Sequence, residues 1–127
     1  MTTWMAVFLG GALGSVARHA INVVTARIMG SPSPWATAAV NMIGSIVIGV
    51  LAGALAANRL SMSRSAQVFV FVGVLGGFTT FSSFMLDSLT LIETGAPVRA
   101  VVNLGGQLAL GMFLIYAGYQ VGAWVKQ

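Results

Sequence analysis

Gly76-Gly77-Phe78-Thr79-Thr80-Phe81-Ser82-Ser83-Phe84-Met85 lies inside a long apolar stretch and decides how the chain is read. Two glycines and two adjacent β-branched threonines are poor helix formers, so a helix crossing this segment is expected to break near its middle. In a bilayer a helix can break only where the freed N–H and C=O groups meet protein, ions or water. Hydroxyls and phenyl rings surround the weak point. Interrupted backbone, hydroxyls and ring edges together point to an ion site at membrane depth.

Composition supports that setting. The 127 residues are 57% hydrophobic and 6% charged, with a mean hydropathy of +0.93. Soluble domains carry about a quarter charged residues, which excludes that class. The basic residues are Arg18, Arg27, Arg59, Arg64, Arg99 and Lys126, against Asp87 and Glu93, for a net charge of +4. They are scattered singly and form no stripe for a nucleic acid. Isolated basic residues between apolar spans are ordinary flanks of membrane helices. The absence of cysteine removes disulfides, thiol nucleophiles and cysteine metal sites. The opening MTTWMAVFLGG has no basic n-region and leads into too long an apolar run for a cleaved signal, so it reads as the first span.

A spanning helix needs about 20 mostly apolar residues. Four segments meet that length, at 3–28, 35–57, 65–93 and 97–125, the third interrupted near 76–80. The expected fold is therefore all-α and integral to the membrane, with residues 1–127 forming a single four-helix domain. Links are short, at 29–34, 58–64 and 94–96, and a turn is expected at Ser31-Pro32-Ser33-Pro34. Trp4, Trp35 and Trp124 fall near span ends, as interfacial anchors do. Gly10/Gly14, Gly49/Gly53, Gly73/Gly77 and Gly118/Gly122 give every span a small-xxx-small face for close helix packing. A compact, oligomeric bundle is expected, since four thin spans hardly enclose a polar path alone.

An even number of spans puts both termini on one side, with Arg59, Arg64 and Lys126. The other side holds Arg27 and Arg99, and Arg18 counts there if it reaches the interface. With so little bias the chain can insert both ways, which makes an antiparallel dual-topology homodimer plausible. A single, weakly biased topology is the alternative.

Polar groups in lipid need a reason. Asn41, early in the second span, reads equally as an interhelical clamp or a pore-lining donor. Asn103, Gln107 and Gly111 recur every four residues and share a helical stripe. They form either a polar track or a hydrogen-bond ladder. Phe81 and Phe84 share a face, and a phenyl ring carries a positive edge around a negative face. Such edges can meet an anion without binding it tightly, while Thr80, Ser82 and Ser83 supply donors to replace its lost water. Arg18 is the only cation deep in a span, read as snorkelling or as attracting anions at a vestibule. Asp87 is the only acid well inside one, and His19 reads as interfacial. No G-x-S-x-G elbow, H-E-x-x-H or P-loop is present, so an enzyme is not expected.

These residues resemble the CrcB/Fluc family of fluoride channels along essentially the whole chain. The resemblance rests on Gly10-Gly11-Ala12-Leu13-Gly14 with Arg18, on Thr37 and Val40-Asn41-Met42-Ile43-Gly44-Ser45, and above all on Gly76 to Phe84. It implies passive, selective fluoride export that gives fluoride resistance, through an antiparallel homodimer with two pores in a bacterial inner membrane. It also implies pore roles for Phe81 and Phe84, with Asn41 positioning them, and a vestibule role for Arg18. A structural sodium ion at the dimer centre would be held by the Gly76 and Thr79 carbonyls of both subunits, and carbonyl ligands suit a hard cation. Ser82, Thr80, Asn103 and Gln107 complete the expected fluoride path. The chain departs from the family pattern at Asn103 and Gln107, where many members carry tyrosine and serine. The rival reading, a small proton-coupled multidrug exporter, needs a carboxylate in the first span, and that span has none.

Overall fold

The computed structural model describes residues 2–30 and 34–124, and every regular element among them is helical. The first helix, α1 (Thr3–Met29), starts where the Thr2 hydroxyl accepts from the Met5 N–H at 3.3 Å. It stops at Gly30, whose φ of 75° suits a residue without Cβ. Proline opens α2 (Pro34–Ala56), where its missing N–H would have been unpaired anyway. Residues 31–33 of the expected turn, and Val125 and Lys126, lie outside the described residues.

The third span runs from Arg64 to Glu93. Ser63 caps its start, accepting from the Ala66 N–H at 3.2 Å. A short α3 (Arg64–Gln67) passes into a π-helical segment (Val68–Leu75), then into α4 (Gly76–Phe78). Thr79 (φ −79°, ψ 159°) and Thr80 (φ −151°, ψ 117°) are extended, and α5 (Phe81–Glu93) follows. The last helix, α6 (Pro97–Trp124), comes after a tight link in which Gly95 has φ 80°. The π-helical stretch was not expected from the sequence, and no residue in Val68–Leu75 announces it. Each helical span begins or ends within a residue of its expected limits among the described positions.

Among the described residues four helical segments are long and apolar enough to cross a membrane, and most of each faces outward rather than into the bundle. The chain packs as two close pairs. Along one, α1 lies on the π-helical segment and α4; along the other, α2 lies on α6. α5 leans on α6 and touches α2.

The glycines set these distances. A Cβ on Gly10 would stand 2.9 Å from the Gly73 Cα, and one on Gly77 would stand 2.7 Å from the Gly11 carbonyl oxygen. A Cβ on Gly118 would meet the Ile46 carbonyl oxygen at 2.6 Å, and Gly49, Gly53 and Gly122 are blocked by facing backbone in the same way. The small-residue faces are thus occupied by helices of the same chain.

Candidate functional site

The α4–α5 junction would expose unpaired main-chain groups, and Asn41 on α2 supplies their partners. Its Oδ1 accepts from the Thr80 N–H at 2.9 Å, and its Nδ2 donates to the Thr80 carbonyl at 3.1 Å. The amide therefore pairs with both main-chain groups of one extended residue. The second Nδ2 proton goes to Gln107 Oε1 on α6, at 3.1 Å. Both amide protons are then committed to protein acceptors.

From Asn41 a chain of amides runs along α6. Gln107 Nε2 donates to Asn103 Oδ1 at 2.9 Å, Asn103 Nδ2 donates to Ser88 Oγ at 2.9 Å, and Ser88 Oγ donates to the Phe84 carbonyl at 2.9 Å. Burial explains the linkage, since Gln107 and Ser88 have little solvent contact and buried polar groups need partners. On the other side of the junction the Thr80 hydroxyl accepts from the Ser83 N–H at 3.3 Å, capping α5, and donates to Ser83 Oγ at 3.0 Å. Gly44 makes room for the junction, because the Thr79 methyl occupies the place a Cβ would take.

The phenyl rings flank this seam unequally. Phe84 is 3% exposed and Phe81 is 69% exposed. Their centroids lie 6.1 Å apart with planes at 69°, so one ring turns an edge toward the other. A groove of about 350 Å³ runs beside them, and Asn41, Thr80, Phe81, Phe84, Gln107, Gly76 and Thr79 all line it. Asn103 does not line it but is tied to it through Gln107 and, by way of Ser88, through Phe84, and Ser82 is exposed outside the groove. Arg18 is half-buried on α1 and His19 is exposed, neither lining the groove.

The same hydrogen bonds bear on the two carbonyls expected to hold a cation. In a continuous helix the Thr80 N–H would reach back to Gly76 and the Ser83 N–H to Thr79. Here the first goes to Asn41 and the second to the Thr80 hydroxyl. The Gly76 and Thr79 carbonyls lose their helical donors, a donor set that fits a hard cation.

Ser88 and Gly44 were not assigned roles from the sequence. Ser88 follows Phe84 by four residues on the same face of α5, and that spacing was the available signal.

The family model described as CrcB-like protein, Camphor Resistance (CrcB), matches residues 5–119. The chain belongs to the CrcB-like family. Among curated relatives, a protein of Allorhizobium ampelinum named fluoride-specific ion channel FluC is 40% identical, over 94% of this chain and 94% of its own length. Proteins of the same name from Thermus thermophilus and Hyphomonas neptunium are 41% and 39% identical. These matches cover 96% and 100% of this chain, and 96% and 97% of those relatives. Within this CrcB-like chain, the amide seam, the phenyl pair and the helix junction all fall inside the matched region.

Proposed function

We propose that this protein is a fluoride-selective channel that lets fluoride leave the cell passively and so gives fluoride resistance. The observation that carries the reading is the clasp of the Asn41 amide on both main-chain groups of Thr80, directly beside Phe81 and Phe84. The relatives' names supply the ion. The clasp lets the polypeptide turn at membrane depth, where two phenyl rings line one groove.

Fluoride is small and strongly hydrated, so the path must replace its water with donors that let it go again. Asn41 has no amide proton to spare and acts by position. Gln107 Nε2 and Asn103 Nδ2 each keep a second proton beyond the bonds above. With the hydroxyls of Ser82 and Ser83, these protons are the proposed donors, while the Thr80 hydroxyl spends its proton on Ser83 Oγ and serves to hold that donor in place. The edges of Phe81 and Phe84 bridge the stretch between them, offering weak positive charge and no tight bond. Arg18 draws anions to the mouth.

The channel is proposed to be an antiparallel, dual-topology homodimer in a bacterial inner membrane. The large exposure of Phe81 supports a second copy, since a pore ring needs a wall opposite it. A sodium ion at the dimer centre would rest on the Gly76 and Thr79 carbonyls of both copies and hold the two junctions together by electrostatic attraction.

The test is efflux from liposomes holding the purified protein, with valinomycin to carry potassium and with fluoride and chloride electrodes. Fast fluoride loss with negligible chloride loss is expected. No fluoride loss from a folded, reconstituted protein would overturn the reading.

A further inference from the structure

Asn41, Gln107 and Asn103 share one hydrogen-bond direction, and Ser88 stands at its end. The direction starts at Thr80, whose main-chain N–H can only donate and whose carbonyl can only accept. That fixes the Asn41 amide, with Oδ1 toward the N–H and Nδ2 toward the carbonyl. Nδ2 also faces Gln107, which must answer with Oε1. Gln107 Nε2 is left to donate to Asn103 Oδ1, and Asn103 Nδ2 is left to donate to Ser88 Oγ. Turning any one amide over would set donor against donor or acceptor against acceptor.

The last acceptor has two demands to meet. It must receive from Asn103 without bringing a charge into a buried place, since Ser88 is 3% exposed. It must also dispose of its own proton. Ser88 donates that proton to the Phe84 carbonyl four residues back, at 2.9 Å, the local bond open to a helical serine. The run thus begins at Thr80, the cap of α5, passes through α2 and α6, and returns to α5 one turn beyond Phe84.

We propose that Ser88 is a positioning residue of the anion path. Ser88 does not line the groove; it holds the Asn103 amide, and through it the Gln107 amide, which does. With the run intact, all three amide oxygens meet donors, while Gln107 Nε2 and Asn103 Nδ2 each keep a second proton. The pair therefore offers an anion amide protons and not amide oxygens. Without the Ser88 hydroxyl, Asn103 Nδ2 loses its acceptor and the side chain is free to swing toward another. Gln107 Nε2 then loses its fixed partner, and its amide hangs on Asn41 alone. Groups that contact a ligand need such support behind them to keep their geometry. The control of the amides stands by itself; only the effect on an anion rests on the fluoride reading.

The test pairs nuclear magnetic resonance with efflux in Ser88→Ala and Ser88→Thr. Side-chain amide signals of the isotope-labelled full chain are recorded in detergent micelles, and fluoride efflux is recorded from liposomes. Ser88→Ala should move the signals of both Asn103 and Gln107 and leave those of Asn22 and Gln120 in place. Its fluoride efflux should fall about fivefold, the effect of one neutral hydrogen bond. Unmoved Asn103 and Gln107 signals, movement of all four, or moved signals with full efflux would overturn the role. Threonine retains a hydroxyl able to bond the carbonyl four back. In Ser88→Thr efflux should be kept if the two signals stay and lost if they move, and the opposite pairing would overturn the role. Absence of efflux from the unmodified protein would instead overturn the channel reading, and the amide signals would still decide what Ser88 holds.

Discussion

Asn41 shows how much one side chain decides. Its Oδ1 faces a donor and its Nδ2 faces two acceptors, Thr80 O and Gln107 Oε1. Asn41→Asp keeps the shape and loses both donated bonds, placing acceptor against acceptor. Unsatisfied buried partners cost about 1–3 kcal/mol each, and the added charge repels an anion. Lower unfolding midpoint and lower fluoride flux are expected together, in thermal denaturation and liposome efflux. Unchanged flux would reduce Asn41 to a purely structural clamp. Phe81→Ile tests the other half of the site, because it removes the ring edge and keeps apolar bulk. Flux should fall about tenfold or more, equivalent to at least ~1.4 kcal/mol of barrier, while gel filtration shows the oligomer intact. Full flux in that variant would sink the ring-edge mechanism.

Between elements, distance is set by backbone-to-backbone contact. The α2–α6 pair closes on Gly49, Gly53, Gly118 and Gly122. In Gly118→Ala the new methyl would meet the Ile46 carbonyl oxygen, and backbone cannot swing aside as a side-chain tip does. Overpacking of this kind costs about 1–3 kcal/mol, read as a lower midpoint in chemical denaturation. An unchanged midpoint would mean that the helix pair can slide apart freely. Because Asn41 and Gln107 sit on these same two helices, separation also stretches the 3.1 Å bond between their amides. Packing and site geometry are coupled there. At the junction the coupling is closer still, since Thr79 and Thr80 are extended only while α2 provides Gly44 and Asn41 beside them.

For the whole molecule the open question is what faces the exposed apolar sides of the helices. Lipid covers part of them, and the proposed second copy covers Phe81. Arg59 and Arg64 lie near one end of the bundle, Arg27 and Arg99 near the other, which gives weak orientation bias. The chain has no cysteine, so a single introduced thiol can be followed without background. In Trp124→Cys, an impermeant thiol reagent should label comparable fractions from each side of sealed vesicles. Labelling from one side only would refute dual topology.

Composition and span length alone determined that this is an all-helical chain with four segments able to cross a membrane, because lipid leaves few ways to satisfy a backbone. The weak helix formers from Gly76 to Thr80 marked where the third span is vulnerable, and local propensity is enough to see that. Sequence could not name the partners of Asn41, since they come from the α4–α5 junction and from α6. Nor could it find the π-helical run or the tie from Ser88 to Asn103. Those depend on contacts between residues far apart in the chain, and only the packing of helices at glycine-set distances brings them together.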